Sequence, residues 1–174
     1  MSSTGRGGVK IEQDKYYTPR WCIELLIERI DFTKVNTFLE PCKGDGRILD
    51  YIPKDVVSSW YELDYGEDYF ISPLQPNYWD LIITNPPFSK SIEFLDRSLL
   101  QAKTVCYLQR LNWLGSKTRK DFWNANTPDK IFVLAQRPQF MKEMGLKSGS
   151  DSTEYAWFIW DKLNIVKGKH IEVI

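Results

Sequence analysis

Asn85-Pro86-Pro87-Phe88 closes the apolar run Trp79-Asp80-Leu81-Ile82-Ile83-Thr84. Neither proline can donate a backbone hydrogen bond, and each biases its predecessor towards extended backbone. The result is a stiff loop with one amide side chain, outward-turned carbonyls and an aromatic face. It sits at the carboxyl end of a buried strand, where ligands bind in open α/β sheets. Taken alone, a proline-rich turn after a core strand accounts for it equally well, and the neighbouring motifs decide. Glu40-Pro41-Cys42-Lys43-Gly44-Asp45-Gly46-Arg47 ends an earlier apolar run. Its glycines let backbone approach a ligand, but it is neither Gly-x-Gly-x-x-Gly nor a Walker loop. The glutamate is the informative departure, because a carboxylate repels phosphate and suits a cationic or amine-bearing ligand. Glu62-Leu63-Asp64 supplies an acid after a second run, where such folds accept ribose hydroxyls; a solvated acidic turn is the alternative.

The elements that must position these residues follow from hydrophobic periodicity. Trp21, Ile23, Leu25, Leu26, Ile27 and Ile30 have helical spacing, with Thr18 as N-cap and Pro19 at the first helical position. Strands are predicted over 35–39, 56–61, 79–84, 104–108, 131–135 and 155–160, the last rich in aromatics. A short helix through Ile48, Leu49 and Ile52 follows the glycine loop, another begins at Ser89, and a third lies within 116–126. Residues 63–78 hold too many turn formers for the helix expected after a second strand. Residues 136–153 form a loop bearing Arg137, Lys142 and Lys147, with Pro138-Gln139-Phe140 marking an ordered part. The tail from Leu163 adds a short strand or a hairpin around Gly168. Alternating strands and helices predict an α/β fold, a mostly parallel sheet with helices on both faces and an antiparallel late strand.

The whole chain narrows the function classes. Its 174 residues are 43% hydrophobic and 14% aromatic, which specifies a folded protein. Residues 1–12 are expected to be a flexible tail and 13–174 one domain. Lys+Arg and Asp+Glu are both 23, so the chain does not coat nucleic acid nonspecifically, though a local basic patch is enough for a nucleic-acid substrate. Cys22, Cys42 and Cys106 are odd in number and widely spaced, which points to a reducing cytoplasm. One histidine, His170, and no Cys-x-x-Cys argue against a zinc site or a Cys-His nucleophile. No apolar run reaches the roughly 18 residues of a membrane span, and no signal peptide is visible.

Five segments in this order resemble the S-adenosylmethionine-dependent adenine-N6 amino-methyltransferases of gamma motif order, in a small form of phage or mobile-element type. These are Tyr17-Thr18-Pro19, Phe38-Leu39-Glu40-Pro41-Cys42-Lys43-Gly44-Asp45-Gly46, Tyr61-Glu62-Leu63-Asp64, Asp68-Tyr69-Phe70 and Asn85-Pro86-Pro87-Phe88. The resemblance covers most of residues 16–160 and implies a Rossmann-like class I methyltransferase fold with a seven-stranded type of sheet. It implies S-adenosylmethionine as cofactor, no metal, and a cytoplasmic location, that of the host cell if viral. Tyr17, Thr18 and Pro19 would meet the methionine end, with Glu40, Pro41, Gly44 and Gly46 in the cofactor loop. Glu62 would take the ribose, Asp68 and Tyr69 the adenine, and Asn85 adjoins the same ligand. Asn85, Pro86, Pro87 and Phe88 form the catalytic motif.

An exocyclic aromatic amine is a poor nucleophile because its lone pair is delocalised. The Asn85 side-chain oxygen and the Pro86 carbonyl are expected to accept its two N–H bonds, and Phe88 to stack on the base. Adenine in DNA is the first expectation for the substrate, with Phe88, Arg137, Lys142 and Lys147 binding it. Adenine in RNA and the side-chain amide of a protein glutamine present similar planar NH₂ groups. A catalytically silent cofactor-binding scaffold is the reading from another class. No segment after the last strand is long enough for a target-recognition domain, so loops or a protein partner are expected to supply specificity.

Overall fold

The computed structural model describes residues 16–146 and 153–174; the expected tail at 1–12 and Lys147 lie outside them. Among the described residues seven strands form one sheet: β1 (Thr37–Glu40), β2 (Val57–Trp60), β3 (Trp79–Thr84), β4 (Ala102–Arg110), β5 (Lys130–Val133), β6 (Tyr155–Asp161) and β7 (Ile171–Val173). Their lateral order is β2-β1-β3-β4-β6-β5-β7. The pairings are parallel except those of β6 with β4 and with β5. Strands β3 and β6 are buried along their whole length, as strands covered on both faces must be.

Alternation along each strand divides the core in two. Phe38, Leu81, Ile83, Cys106, Leu108, Trp157 and Ile159 face the side covered by α1 (Arg20–Ile27), through Cys22, Ile23 and Leu26. Leu39, Ile82, Val105, Tyr107, Phe158 and Trp160 face the other side. There α2 (Ser91–Gln101) contributes Phe94 and Leu95, and α3 (Lys120–Ala125) contributes Trp123. Helices on both faces and one antiparallel late strand match the expected architecture.

Several local expectations need correction. Thr18 does not cap α1: Pro19 is the capping residue, no side chain caps it, and Thr18 is buried. The helix after the glycine loop shrinks to a 3₁₀ turn at Leu49–Tyr51, because Pro53 holds Ile52 extended (ψ 130°). Residues 116–126 split into a 3₁₀ turn at Lys117–Arg119 and α3. As expected, no helix stands between β2 and β3, only a 3₁₀ turn at Leu63–Tyr65, and β2 is an edge strand of the sheet. Of the two alternatives for the tail, the short strand holds: β7 pairs in parallel with β5. Within the long loop, Phe140–Glu143 is a helical turn, α4, and Pro138 and Phe140 are buried, as the ordered part was expected to be. No helix of the described residues is long and apolar enough to cross a membrane.

Candidate active site

Strands β1 and β3 are parallel neighbours, so the loops leaving their carboxyl ends meet. One cleft is lined by Tyr16, Tyr17 and Thr18 before α1, by Glu40, Gly44 and Arg47 of the glycine loop, and by Asn85. Residues predicted from three separate motifs therefore share one surface. Glu40 is only 1% exposed, and its Oε2 has no hydrogen-bond partner. Burial pushes its carboxyl well above the usual 4.5, and the neighbouring charges of Asp45 and Glu62 push the same way. A buried carboxylate with one oxygen unpartnered is costly in the isolated chain, and it aims the site at a cation or a donor.

The glycine loop is held by its own backbone. Gly44 adopts φ +58° and Gly46 φ +83°, both in the left-handed region that a side chain disfavours. The Gly44 N–H donates to Glu62 Oε2 at 2.6 Å, and Lys43 N–H to the Tyr61 carbonyl at 3.0 Å. Glu62 thus closes the loop as well as standing beside it. Lys43 Nζ lies 3.7 Å from the Trp60 ring centroid, a cation–π contact that anchors the loop from the sheet edge. Arg47 joins the pieces. It donates to the Thr18 carbonyl at 2.9 Å and to Glu143 of α4 at 2.8 Å, and pairs with Asp45 at 2.6 Å. Its guanidinium also stands 5.3 Å from the Tyr17 ring centroid.

On the β3 side, Asn85 Nδ2 donates to the Tyr16 carbonyl at 3.2 Å. That commits the NH₂ end of the amide to the protein and leaves Oδ1 as its acceptor. Pro86 is buried, and Gln109 Nε2 of β4 lies 3.5 Å from its carbonyl oxygen; a carbonyl has a second lone pair for another donor. Phe88 is half-buried and stacks on Tyr16 (centroids 5.8 Å, planes 21° apart). It also meets Tyr155 at 5.9 Å, and the Arg110 guanidinium stands over its ring at 4.7 Å. Tyr16, Gln109 and Arg110 were not singled out in the sequence. Their roles arise from the β3–β4 register and from the approach of the chain before α1. Only the Tyr beside Tyr17-Thr18-Pro19 carried any signal, as an extra aromatic next to a motif.

The remaining predicted residues are more scattered. Asp68 accepts the Phe70 N–H at 2.8 Å, closing a tight turn. Tyr69 is a core residue: its ring stacks on Phe94 (5.5 Å, 10°), and its hydroxyl shares a buried network with Ser98 and Gln101. Burial pushes its phenol up to about 12. Pro41 is buried. Arg137 is tied to Glu154 at 2.5 Å, Lys142 is exposed on α4, and Lys147 lies outside the described residues.

The residues present fit the cofactor that the motifs imply. The orphaned Glu40 Oε2 matches an ammonium group, and the left-handed Gly44 leaves close approach open.

No family model matches the chain, and no curated protein matches it. Solved structures do. A candidate RNA methyltransferase from Pyrococcus horikoshii superposes with a TM-score of 0.63 at 11% identity over 90% of each chain. The 23S rRNA methyltransferase ErmE gives 0.57 at 12% identity over 88% of this chain and 73% of its own. At these identities the likeness is one of fold: a Rossmann-like methyltransferase sheet.

Proposed function

We propose that this chain is an S-adenosylmethionine-dependent N-methyltransferase acting on the exocyclic N6 amine of adenine in nucleic acid, with DNA as the first substrate to test. The observation that carries the reading is the shared cleft: an orphaned, buried Glu40 carboxylate faces the same space as Asn85, whose amide is already oriented. Tyr17, Thr18, Glu40, Gly44 and Glu62 would hold the cofactor, which supplies an electrophilic methyl group on a sulfonium when bound. Pro19, Pro41 and Gly46 shape the backbone around it, and Asp68 would read its adenine. Tyr69 supports that segment from the core.

The chain's own residues handle the amine. Asn85 Oδ1 and the Pro86 carbonyl accept its two N–H bonds, turning the nitrogen lone pair out of conjugation. Positive charge grows on nitrogen during transfer, so both acceptors bind the transition state more strongly than the ground state. Hydrogen bonds to a charged group contribute roughly 1.5–3 kcal/mol each. Phe88 offers its ring to the base and to the developing cation for about 0.5–2 kcal/mol more, and Pro87 stiffens the loop between them. The proton departs to solvent afterwards, so no dedicated base is needed. A base within a duplex must first be flipped out at a cost of a few kcal/mol. The three cysteines are free, which suits a reducing cytoplasm.

Adenine in RNA is the second reading, favoured by the RNA methyltransferases among the structural neighbours. A protein partner that supplies target recognition is compatible with either. The test is transfer of label from methyl-labelled S-adenosylmethionine to DNA, RNA and protein pools offered separately. Label in N6-methyladenine of DNA is the expected result, and label in RNA selects the second reading. Cofactor binding without transfer to any pool sinks the enzyme and leaves a scaffold.

A further inference from the structure

Of the basic residues expected to grip the substrate backbone, Lys142 is exposed on α4 and Lys147 lies outside the described residues. Arg137 is paired with Glu154, and Glu143 of α4 with Arg47. The connection from β4 to α3 differs. From Arg110 to Lys120 the sequence holds Arg110, Lys117, Arg119 and Lys120 and no acidic residue. Arg119 has a structural task, donating twice to the Trp113 carbonyl at 3.1 and 2.8 Å. That fixes the 3₁₀ turn at Lys117–Arg119, while Trp113 anchors the connection in the core against Trp123 and Phe158. Lys117 and Lys120 are exposed, and neither has an ion pair among the described residues. The connection starts beside the catalytic loop: β3 and β4 run parallel, and Arg110 at the end of β4 lies over Phe88 at 4.7 Å.

We propose that the nucleic-acid strand carrying the target base lies along this β4–α3 connection, with its phosphates on Lys117 and Lys120 and Arg110 at the head of the track beside Phe88. The inference rests on the reading that the substrate is a nucleic acid. Its physical basis is that a phosphodiester backbone is bound by cations whose charge is not already met by protein carboxylates, here Lys117 and Lys120. Anchored positions also lose less entropy on binding than free loops do.

The test measures binding alone, in the absence of cofactor, so that it is separate from turnover. A fluorescein-labelled single-stranded oligodeoxynucleotide containing adenines is titrated by anisotropy across a series of salt concentrations, with a duplex and an RNA of the same sequence as parallel arms. Each phosphate contact on a single strand contributes about 0.7 to the slope of log K against log salt, so Lys117→Ser/Lys120→Ser should shallow it by about 1.4. Lys117→Arg/Lys120→Arg should keep the slope, and Arg137→Ser/Lys142→Ser should leave it near that of the unaltered protein. An unchanged slope in the serine pair overturns the track, as does loss of slope in the arginine pair. So does an unaltered protein that binds none of the three probes. Methylation of nucleic acid with an unchanged slope would remove the track and spare the activity; a shallower slope without methylation would do the reverse.

Discussion

Burying a carboxylate with one oxygen unpartnered destabilises the isolated chain, and at Glu40 the nearby Lys43 charge offsets only part of the cost. Its folded carboxyl is held well above 4.5, so between that value and its raised pKa the folded state binds more protons than the unfolded one. Stability then falls as pH rises through this window, by up to about 1.4 kcal/mol per pH unit for one proton. In Glu40→Gln that slope should be absent from denaturation curves taken across the window, and cofactor binding should weaken. A variant with the same pH slope as the unaltered protein would mean another group titrates there. Asn85 differs because its orientation is already fixed by the Tyr16 carbonyl. Asn85→Ala should lower kcat by about 10²–10³-fold, the usual loss for one transition-state hydrogen bond. Its cofactor dissociation constant, measured by calorimetry, should stay within a few-fold. Near-normal turnover would take Asn85 out of the mechanism. The chemical residues were legible because type and order are written in the chain: an amide before two prolines, a glutamate before glycines. What surrounds Phe88 was not. Its contacts with Tyr16, Tyr155 and Arg110 join residues far apart in sequence, and no local pattern encodes them.

At the scale of elements, punctuation by proline and glycine decided where the sequence could be followed. Pro53 cut short the helix after the glycine loop, and the turn formers over 63–78 removed the next one; both are local effects. The partner of β7 was not local. A short strand or a hairpin was expected around Lys167-Gly168-Lys169; the strand forms, and its parallel pairing with β5, past Phe132, is what the local sequence does not carry. Gly168 stands at φ +136°, and a Cβ built there would lie 2.7 Å from Phe132 Cζ and 3.0 Å from Glu172 Oε2. Glu172 also faces Arg29 at 3.6 Å, so little room exists for the ring or the carboxylate to give way. Gly168→Ala combines strained backbone with overpacking, and should cost roughly 1–3 kcal/mol in urea denaturation at an unchanged m-value. Cofactor affinity should not change, because the Glu40–Asn85 cleft is built on β1 and β3. A neutral substitution would show that the β5–β7 edge shifts freely.

Across the whole molecule, acids divide the sheet into a binding end and an anchoring end. Glu40 lies at the carboxyl end of the parallel strands without a full set of partners, whereas the buried acids at the opposite end are fully engaged. Asp161 accepts from Thr104 Oγ1 and the Ile165 and Val166 N–H groups at 2.9–3.0 Å, and pairs with Lys130 at 3.2 Å. It thereby locks β6 to β4 and turns the chain towards β7. Asp80 opens β3 and accepts the Asn36 and Thr37 N–H groups at 2.9 and 3.2 Å, with Lys103 Nζ at 2.8 Å. Burial alone would raise its carboxyl, but Lys103 and the two amides outweigh it and hold the group below 3.8. Here the unfolded chain binds more protons near that value, so the stabilisation is present above 3.8 and is lost as pH falls through the lowered folded pKa. Asp80→Asn should therefore be destabilised by about 1–3 kcal/mol at neutral pH, since charged hydrogen bonds are replaced by neutral ones. The gap from the unaltered protein should close on acidification below 3.8. Parallel denaturation curves at neutral and acid pH test this; a gap that persists in acid would assign the loss to packing. The opposite pH slopes expected of Glu40 and Asp80 follow from one sheet whose carboxyl end leaves an acid without a full set of partners and whose amino end does not.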